Sequence, residues 1–416
     1  MPNSAIIAGS QALAPAARRL DPARVLPLAG VLVLLGATTW LAYDDAGLRV
    51  ALLVLVGAGL GFALQKSGFG FASAWRAQVI EGRGAGLRYQ LALLAILSVA
   101  LFPLFARGEA FGQPLFDLVR PVGVALLAGA FLFGIGAQLA SACSSGSFSA
   151  VGRGKLRYVI VIAAMIVGAT LGSAHFGWWE AQASWFAFSL PREWGTGPGI
   201  AGNLAIIGLL AGASLWLEKA RYGNVSRPGT QESFGPGRSW SMSRGVIVLA
   251  LLCVATLVLS GRPWTIMSAP PLWGAHFIEA FSLDLDVAFW DYWSADSRVN
   301  ALEASLWTDA ATLMIGGLIL GTALAAARSG SLGVNWKISP GEGFSALLGG
   351  LLLGYGGVVG LGCNIGAFLG GASSGSLHGW LWLLAAFVGT AVGVGLKAAG
   401  NRLTRRGGHL ASERMV

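Results

Sequence analysis

Charged residues are scarce in this chain of 416 residues. Only 11% are Asp, Glu, Lys or Arg, against about a quarter in an ordinary soluble domain, and 55% are hydrophobic. The composition therefore excludes a soluble globule. A disordered chain and a coiled coil are excluded as well, because both need many more charged side chains.

Cysteine is also scarce, because the chain contains three: Cys143, Cys253 and Cys363. Three widely spaced cysteines exclude a disulfide framework and a zinc site built from paired cysteines. The sequence predicts no metal and no cofactor. Any cysteine that has a function acts as a single thiol.

Glycine and tryptophan are abundant, at 62 and 16 residues, and the mean hydropathy is +0.67. Membrane helices use small residues for close packing and tryptophan at the interfaces. A helix needs about 20 apolar residues to cross roughly 30 Å of hydrocarbon. We therefore predict an all-α polytopic membrane protein with about ten spans. These are residues 25 to 43, 49 to 65, 88 to 106, 121 to 141, 157 to 174, 201 to 217, 245 to 261, 310 to 327, 344 to 362 and 379 to 397.

The net charge of +9 is explained by topology. If the N-terminus is cytoplasmic, 22 of the 28 Lys and Arg residues fall on the cytoplasmic side. Since Lys and Arg bias sets orientation, both termini are predicted to be cytoplasmic. The basic residues form no cluster with a known motif, so nucleic-acid binding is not predicted. Two connections outside the membrane stand out, a Gly/Pro/Ser-rich basic linker at 218 to 244 and an acidic loop at 275 to 309.

An internal repeat is the most informative signal. Residues 134 to 148 read GIGAQLASACSSGSF and residues 354 to 368 read GYGGVVGLGCNIGAF. A shift of 220 positions gives five identities in fifteen, including Cys143 with Cys363. The repeat predicts two related halves, at 48 to 175 and 245 to 397. The remainder comprises residues 1 to 47 (tail and first helix), 176 to 244 (a connecting helix and linker) and 398 to 416 (a cytoplasmic tail).

The two halves are predicted to be inverted. Helix 49 to 65 runs inward, whereas helix 245 to 261, at the corresponding position, runs outward. Each half also contains short elements, such as SGFGFASAWR and GRPWTIMSAPPLWG, that are too brief to cross the membrane. Inverted repeats with broken helices place a site near the midplane of the bilayer. We therefore expect two pseudosymmetric halves with short re-entrant helices and loops.

The two cysteine segments, SACSSGSF and GCNIGAF, are too rich in Gly and Ser to continue a helix comfortably. Irregular backbone at membrane depth must be buried in protein or line a wet cavity. A lone membrane cysteine usually serves packing, but equivalent placement at two helix breaks favours function. Cys253 has no glycine or break beside it and is interpreted as a packing residue. The predicted substrate pathway comprises Cys143, Ser144, Ser145, Gly146, Cys363, Asn364, Gly366, Ser73, Arg76 and Ser268.

Ionisable groups are nearly absent from the spans, so no carboxylate relay is evident. Arg76 ends the stretch SGFGFASAWR and could attract an anion or bind a lipid phosphate. His378 follows the second cysteine segment, where an interfacial position is favoured over contact with a ligand.

The motifs GLGCNIGAFLGGASSGSLHGW (361 to 380), QKSGFGFASAWR and GRPWTIMSAPPLWG resemble those of the YeeE/YedE sulfur-transport family of bacterial inner-membrane proteins. The resemblance implies uptake of a sulfur-containing compound, with thiosulfate as the substrate of the characterised branch. It also implies cysteines along a central path and a TusA-like cytoplasmic sulfur carrier as partner. Many members have a third cysteine where this chain has Gly70.

Three functions compete. The leading hypothesis is a transporter or channel for a sulfur oxyanion, with a selenium compound as a variant. The second is a membrane sulfurtransferase in which Cys363 forms a persulfide; this needs a base or positive charge beside the thiol, and neither segment offers one. The third is a scaffold or sensor without transport.

Overall fold

The structure, a computed structural model, describes residues 22 to 225 and 238 to 413, with side chains described for 25 to 225 and 238 to 400. The predicted N-terminal tail up to residue 21, the middle of the 218 to 244 linker and residues 414 to 416 of the predicted C-terminal tail lie outside the described residues. Helices are α1 Pro22–Ser67, α2 Phe71–Glu81, α3 Ala85–Arg107, α4 Val124–Ala140, α5 Ser144–Gly152, α6 Arg157–Ala174, α7 Phe176–Glu180, α8 Leu190–Trp194, α9 Thr196–Tyr222, α10 Met242–Ser260, α11 Ala269–Ala280, α12 Asp296–Glu303, α13 Ala310–Arg328, α14 Pro340–Val359 and α15 Leu377–Glu413. A π-helix covers Asn364–Gly370, and 3₁₀ turns cover Val287–Phe289 and Asp291–Ser294.

Nine helical segments of the described ranges are long and apolar enough to cross a membrane, so the chain is a polytopic all-α membrane protein. The first of these segments, Val25–Glu81, contains two of the ten predicted spans, 25 to 43 and 49 to 65. Gly47, with φ 80°, interrupts helical geometry between them. The remaining eight predicted spans each coincide with one helix.

Strand structure in the described residues amounts to two small antiparallel pairs. β1 Glu109–Ala110 pairs with β2 Gln113–Pro114, and β3 Val122–Gly123 pairs with β4 Ser184–Trp185. Both lie in connections between helices. The first pair lies largely outside the core, whereas Val122 of β3 is buried in it.

The packing of the long helices follows the repeat. α4 packs against α15, and α14 packs against α6. A Cβ added to Gly134 would lie 2.1 Å from the carbonyl oxygen of Ala386, and one added to Gly354 would lie 2.0 Å from that of Met165. These glycines are 220 positions apart, and each lets its helix approach a helix of the other half. Equivalent positions of the two halves therefore make equivalent contacts.

α4 and α14 also pack against each other, and their contacts fix the depth of the helix breaks. A Cβ on Gly349 would lie 2.4 Å from the nitrogen of Ala140, and one on Gly129 would lie 2.1 Å from that of Gly360. Ala140 at the end of α4 is therefore level with Gly349 of α14. Along α14, residue 349 and Gly360 are about 16 Å apart at 1.5 Å per residue, so the ends of α4 and α14 are separated by the same distance. This separation is smaller than the thickness of the hydrocarbon core, about 30 Å, so both breaks fit within one membrane.

The short helices complete the core in an equivalent way. Phe148 of α5 makes an edge-on contact with Trp273 of α11, with ring centroids 5.9 Å apart. Phe368 of the π-helix contacts Trp75 of α2 at 6.4 Å. Phe148 and Phe368 are again 220 positions apart, so each cysteine segment packs against the short helix of the other half.

The acidic connection is shorter and more structured than predicted. α11 continues to Ala280, and the 3₁₀ turns and α12 lie within the rest. We call residues 281 to 309 the outer loop, its side the outer face, and the side of the 218 to 244 linker the inner face. These names follow the orientation predicted from Lys and Arg.

Candidate functional site

Each cysteine directly precedes a short helix that follows a break. Cys143 precedes α5 with φ −82° and ψ −178°, and Cys363 precedes the π-helix with φ −92° and ψ −175°. Both side chains are buried, with 5% and 0% of their surface exposed. The two thiols thus occupy the same backbone position in opposite halves.

Two residues before each cysteine, the backbone adopts a left-handed conformation without glycine. Ser141 has φ 64° and Leu361 has φ 60°. This conformation costs about 1 to 2 kcal/mol for such residues, and strain of this kind concentrates at functional sites. We call Ser141, Ala142 and Cys143 the first thiol turn, and Leu361, Gly362 and Cys363 the second thiol turn.

A cavity of about 320 Å³ opens on the outer face and reaches the second thiol turn. Leu361, Gly362 and Gly366 line its deep end. Ser268 also lines it, and its hydroxyl lies 3.4 Å from that of Thr265. Its volume falls at the lower end of the range for small-molecule sites.

A second cavity, of about 250 Å³, opens on the inner face and reaches the first thiol turn. Its deep end is lined by Ser141, Ala142 and Gly146, each 220 positions before one of the residues in the outer cavity. Cys143, Ser145 and the exposed hydroxyl of Ser73 line it too. The two cavities therefore reach the two thiol turns from opposite faces.

Buried side chains separate the two cavities. Ser144 is 0% exposed, and its hydroxyl donates a hydrogen bond to the sulfur of Met267 over 3.6 Å. Met267 lines the outer cavity, whereas Ser144 adjoins the inner one. A substrate that passed from one cavity to the other would have to displace these side chains.

The polar partners of the thiols are neutral in the described part of the chain. The sulfur of Cys143 lies 3.4 Å from the hydroxyl of Ser145. The backbone N–H groups of Ile365 and Gly366 lie at the sulfur of Cys363. Asn364 is 0% exposed, and neither its side-chain nitrogen nor its oxygen has a hydrogen-bond partner.

Arg76 lies apart from the rest of the predicted pathway. Its Nε donates to the side-chain oxygen of Gln138 over 2.8 Å, and it is not among the residues lining either cavity. α4 ends beside this contact, and Lys397 bonds there to Ser141 and to the carbonyl oxygen of Gln138. In the described geometry, Arg76 thus braces α4 against α2.

Most residues that line the outer cavity were not predicted from the sequence. Arg120, Arg262 and Arg298 line it but come from three separate connections, so no local motif unites them. His378 is 1% exposed, lines the same cavity and lies 2.7 Å from the hydroxyl of Ser376, whereas an interfacial position was expected. The six Lys and Arg residues predicted on the outer face were a usable signal, since three of them converge here.

These features define a polytopic membrane protein with a closed barrier between two opposed cavities, each ending at a buried thiol turn. The family model described as sulphur transport matches residues 66 to 392, and the chain belongs to that family. It is 28% identical over 341 residues to the thiosulfate transporter TsuA of Spirochaeta thermophila, covering 79% of this chain and 93% of that protein.

Two further relatives match over a shorter stretch. The probable transporters YedE of Escherichia coli (strain K12) and Salmonella typhimurium are each 26% identical to this chain over 151 residues. The match covers 36% of this chain and 36% of the relative in both cases. The chain thus matches about a third of the length of these two proteins.

Proposed function

We propose that this protein transports a sulfur-containing oxyanion, with thiosulfate as its main substrate, through the two thiol turns. The observation that carries the proposal is the pairing of Cys143 and Cys363 at the same backbone position, each in a thiol turn that a cavity from one face reaches. A cysteine that serves packing alone does not need a symmetry-related cysteine in the other half. A transport pathway that crosses an inverted repeat is expected to use equivalent positions of both halves.

The chemistry of thiosulfate matches these groups. It is a dianion whose terminal sulfur is soft and whose oxygens are hydrogen-bond acceptors. Thiols and hydroxyls donate weak hydrogen bonds to sulfur, and backbone N–H groups suit oxygen. The similarity to a thiosulfate transporter over 93% of that protein's length supports the same assignment.

The thiols act here as neutral donors. Neither has a carboxylate, imidazole or amine within hydrogen-bond distance among the described side chains, so nothing promotes a thiolate. A thiolate would also repel an anion. Several weak contacts in series suit conduction, because the substrate must dissociate from each binding position along the pathway.

Asn364 supplies a further donor beside Cys363. A buried amide without partners costs about 1 to 3 kcal/mol, so its retention calls for an explanation. An oxyanion passing the second thiol turn would accept a hydrogen bond from its side-chain nitrogen. Ser145, Gly146 and Gly366 provide the corresponding polar surface on either side.

We further propose that transport is inward across a bacterial inner membrane, with both termini cytoplasmic. The inner cavity then delivers the substrate to the cytoplasm, where a TusA-like sulfur carrier could receive its sulfur. Its lining includes Arg153, whose positive charge favours an anion.

Uptake of labelled thiosulfate into proteoliposomes that contain the full chain tests the proposal. Cys143→Ala and Cys363→Ala should each reduce uptake at least about fivefold, the value of one hydrogen bond. Cys253→Ala is the matched control, since Cys253 is equally buried within α10 and should leave uptake unchanged. Full uptake in both thiol-turn variants would refute the pathway. Release of sulfite in place of unchanged thiosulfate would favour the persulfide-forming enzyme instead.

A further inference from the structure

The inner end of α4 is capped by cationic side chains from other helices. Arg157 of α6 donates to the carbonyl oxygen of Ala140 over 2.9 Å. Lys397 of α15 donates to the carbonyl oxygen of Gln138 over 3.2 Å and also to the hydroxyl of Ser141. These bonds satisfy carbonyl groups that have no partner within their own helix, because the helix ends there.

A third cation, Arg76 of α2, lies beside the same helix end. Its Nε donates to the side-chain oxygen of Gln138 over 2.8 Å. Its Nη2 is buried and has no hydrogen-bond partner in the described part of the chain. Arg76, Arg157 and Lys397 form no ion pair with any residue that the structure describes. Three positive charges thus meet at one helix end with neutral partners.

The charges around this helix end do not balance. Glu342 of α14 lies near Arg157, whose Nε donates to its backbone carbonyl over 3.4 Å. The carboxylate of Glu342 is already engaged, since it accepts from the backbone nitrogen and the hydroxyl of Ser339 over 3.0 and 2.9 Å. A helix C-terminus adds about half a negative charge. The helix end and Glu342 together therefore supply about one and a half negative charges against three positive ones.

The cations lie where three elements reach the inner face of the membrane. Arg157 is the first residue of α6, and Lys397 lies three residues before the end of the membrane segment Leu377–Gly400. Lys and Arg side chains at helix ends extend to the level of the lipid headgroups. Basic pockets between membrane helices on this side are suited to headgroup phosphates.

α4 ends before its two neighbours do, and this leaves a recess for a headgroup. Gly349 of α14, which is level with Ala140, lies nine residues, about 14 Å, from Pro340 at the start of α14. α14 and α15 both pack against α4 and extend beyond its end toward the inner face. Past the first thiol turn, α5 packs against α13 and α6 and so does not continue in line with α4.

Exposed apolar side chains flank the cations on the same helices. Phe344 of α14 is 68% exposed, Leu396 of α15 is 52% exposed and Val159 of α6 is 48% exposed. In a membrane protein, such side chains face the acyl chains of lipids. A phospholipid whose phosphate lay at Arg157 and Lys397 would place its acyl chains beside these residues.

We propose that the inner end of α4 binds the phosphate group of an anionic phospholipid, held by Arg157 and Lys397 with Arg76 behind them. A guanidinium binds two phosphate oxygens through parallel hydrogen bonds, and an ammonium adds a point charge. An ammonium has three donors, so Lys397 can bind phosphate and keep its bond to Ser141 of the first thiol turn. The bound lipid therefore supports this turn from the inner face. Lipid binding here is independent of which anion the protein transports.

Native mass spectrometry of the purified full chain, titrated with phosphatidylglycerol or with phosphatidylcholine of the same acyl chains, tests the site. Wild-type protein should bind its first phosphatidylglycerol about tenfold more tightly than its first phosphatidylcholine, the value of a charged hydrogen bond. Arg157→Gln and Lys397→Gln should each raise the Kd for phosphatidylglycerol about tenfold, because the amide still donates to the helix end but carries no charge. Arg244→Gln is the matched control, since Arg244 is exposed near the start of α10 on the same face.

Thermal unfolding separates loss of the lipid from loss of the fold. Phosphatidylglycerol should raise the unfolding temperature of wild type and of Lys397→Arg, which keeps the charge, but not that of Lys397→Gln. An unchanged Kd in both Gln variants, or equal affinity of wild type for the two lipids, would overturn the proposal. Displacement of phosphatidylglycerol by an equal concentration of inorganic phosphate would also overturn it, because the site would then take free phosphate and not a lipid.

Discussion

Ser144 and Met267 are joined by a hydrogen bond of 3.6 Å from hydroxyl to thioether sulfur, and this contact links the first thiol turn to the wall of the outer cavity. The two residues belong to different halves of the chain. Met267 also covers Gly357 of α14, where an added Cβ would lie 2.7 Å from its terminal methyl. Methionine is unbranched and flexible, which suits a side chain that must move when a substrate passes.

The first prediction concerns this barrier. Met267→Ala removes the side-chain atoms that separate the cavities and should lower the selectivity of uptake for thiosulfate over sulfate. Met267→Leu keeps similar volume, and its uptake should stay within about threefold of wild type, since such swaps cost under about 1.5 kcal/mol. Parallel uptake of the two labelled anions measures the ratio. Equal selectivity in wild type and Met267→Ala would show that Met267 is not part of the barrier.

The long helices and the thiol turns were accessible from sequence because their signals are local. Each of the ten apolar runs coincides with helical structure, and the shift of 220 positions aligns residues that make equivalent contacts, such as Phe148 and Phe368. Within α1, the non-helical backbone of Gly47 separates two helices, which coincide with the first two apolar runs.

The outer cavity could not be predicted, because its charges meet only in three dimensions. Arg120 precedes β3, Arg262 follows α10 and Arg298 lies in α12. Each alone resembles an ordinary loop charge. The burial of His378 was missed for a related reason, since its position depends on how the chain returns from the second thiol turn to α15.

The second prediction concerns the close approach of helices from the two halves. Gly134→Ala and Gly354→Ala place a Cβ about 2 Å from a backbone oxygen of the neighbouring helix, so the helices must separate. Overpacking of this kind costs about 1 to 3 kcal/mol or more, and we expect a lower unfolding temperature for each variant in detergent. Gly208→Ala in α9 is the control, because nothing lies within 4 Å of its added Cβ. Unfolding temperatures equal to wild type in both test variants would contradict the packing described here.

The third prediction contrasts two fully buried asparagines. Asn203 is well satisfied: its side-chain nitrogen donates to Ser98 over 2.7 Å and to the carbonyl of Ala372 over 3.0 Å, and its oxygen accepts from Trp380 over 3.0 Å. Asn364 has no partner among the described residues. Asn203→Ala should therefore cost about 1 to 3 kcal/mol of unfolding free energy, whereas Asn364→Ala should be neutral or stabilising.

For transport, Asn364→Ala should have the larger effect and Asn203→Ala the smaller one. Asn364→Ala removes a donor beside the second thiol turn and should reduce thiosulfate uptake about fivefold or more, the value of one hydrogen bond. Asn203→Ala should leave uptake per folded molecule near wild type, because Asn203 lies in α9 and adjoins neither thiol turn in the sequence. Thermal unfolding and uptake measured on the same preparations check both halves of the prediction. A large loss of stability in Asn364→Ala with normal uptake would assign Asn364 a packing role.

The last prediction concerns the position where many members of the family carry a third cysteine. Gly70 precedes α2 with φ −155° and lines the inner cavity near Cys143. An added Cβ would lie 2.7 Å from the hydroxyl oxygen of Ser73, the free end of a short side chain that can rotate away. Gly70→Cys should therefore fold and place a second thiol in the inner cavity. We expect it to lower the KM for thiosulfate, because it adds one weak donor to a soft sulfur along the same path. Gly70→Ala, which adds the Cβ without the sulfur, separates the steric effect from the chemical one. A KM that rises equally in both variants would mean that this position tolerates no side chain, and that the inner cavity works through Cys143 and its hydroxyl neighbours alone.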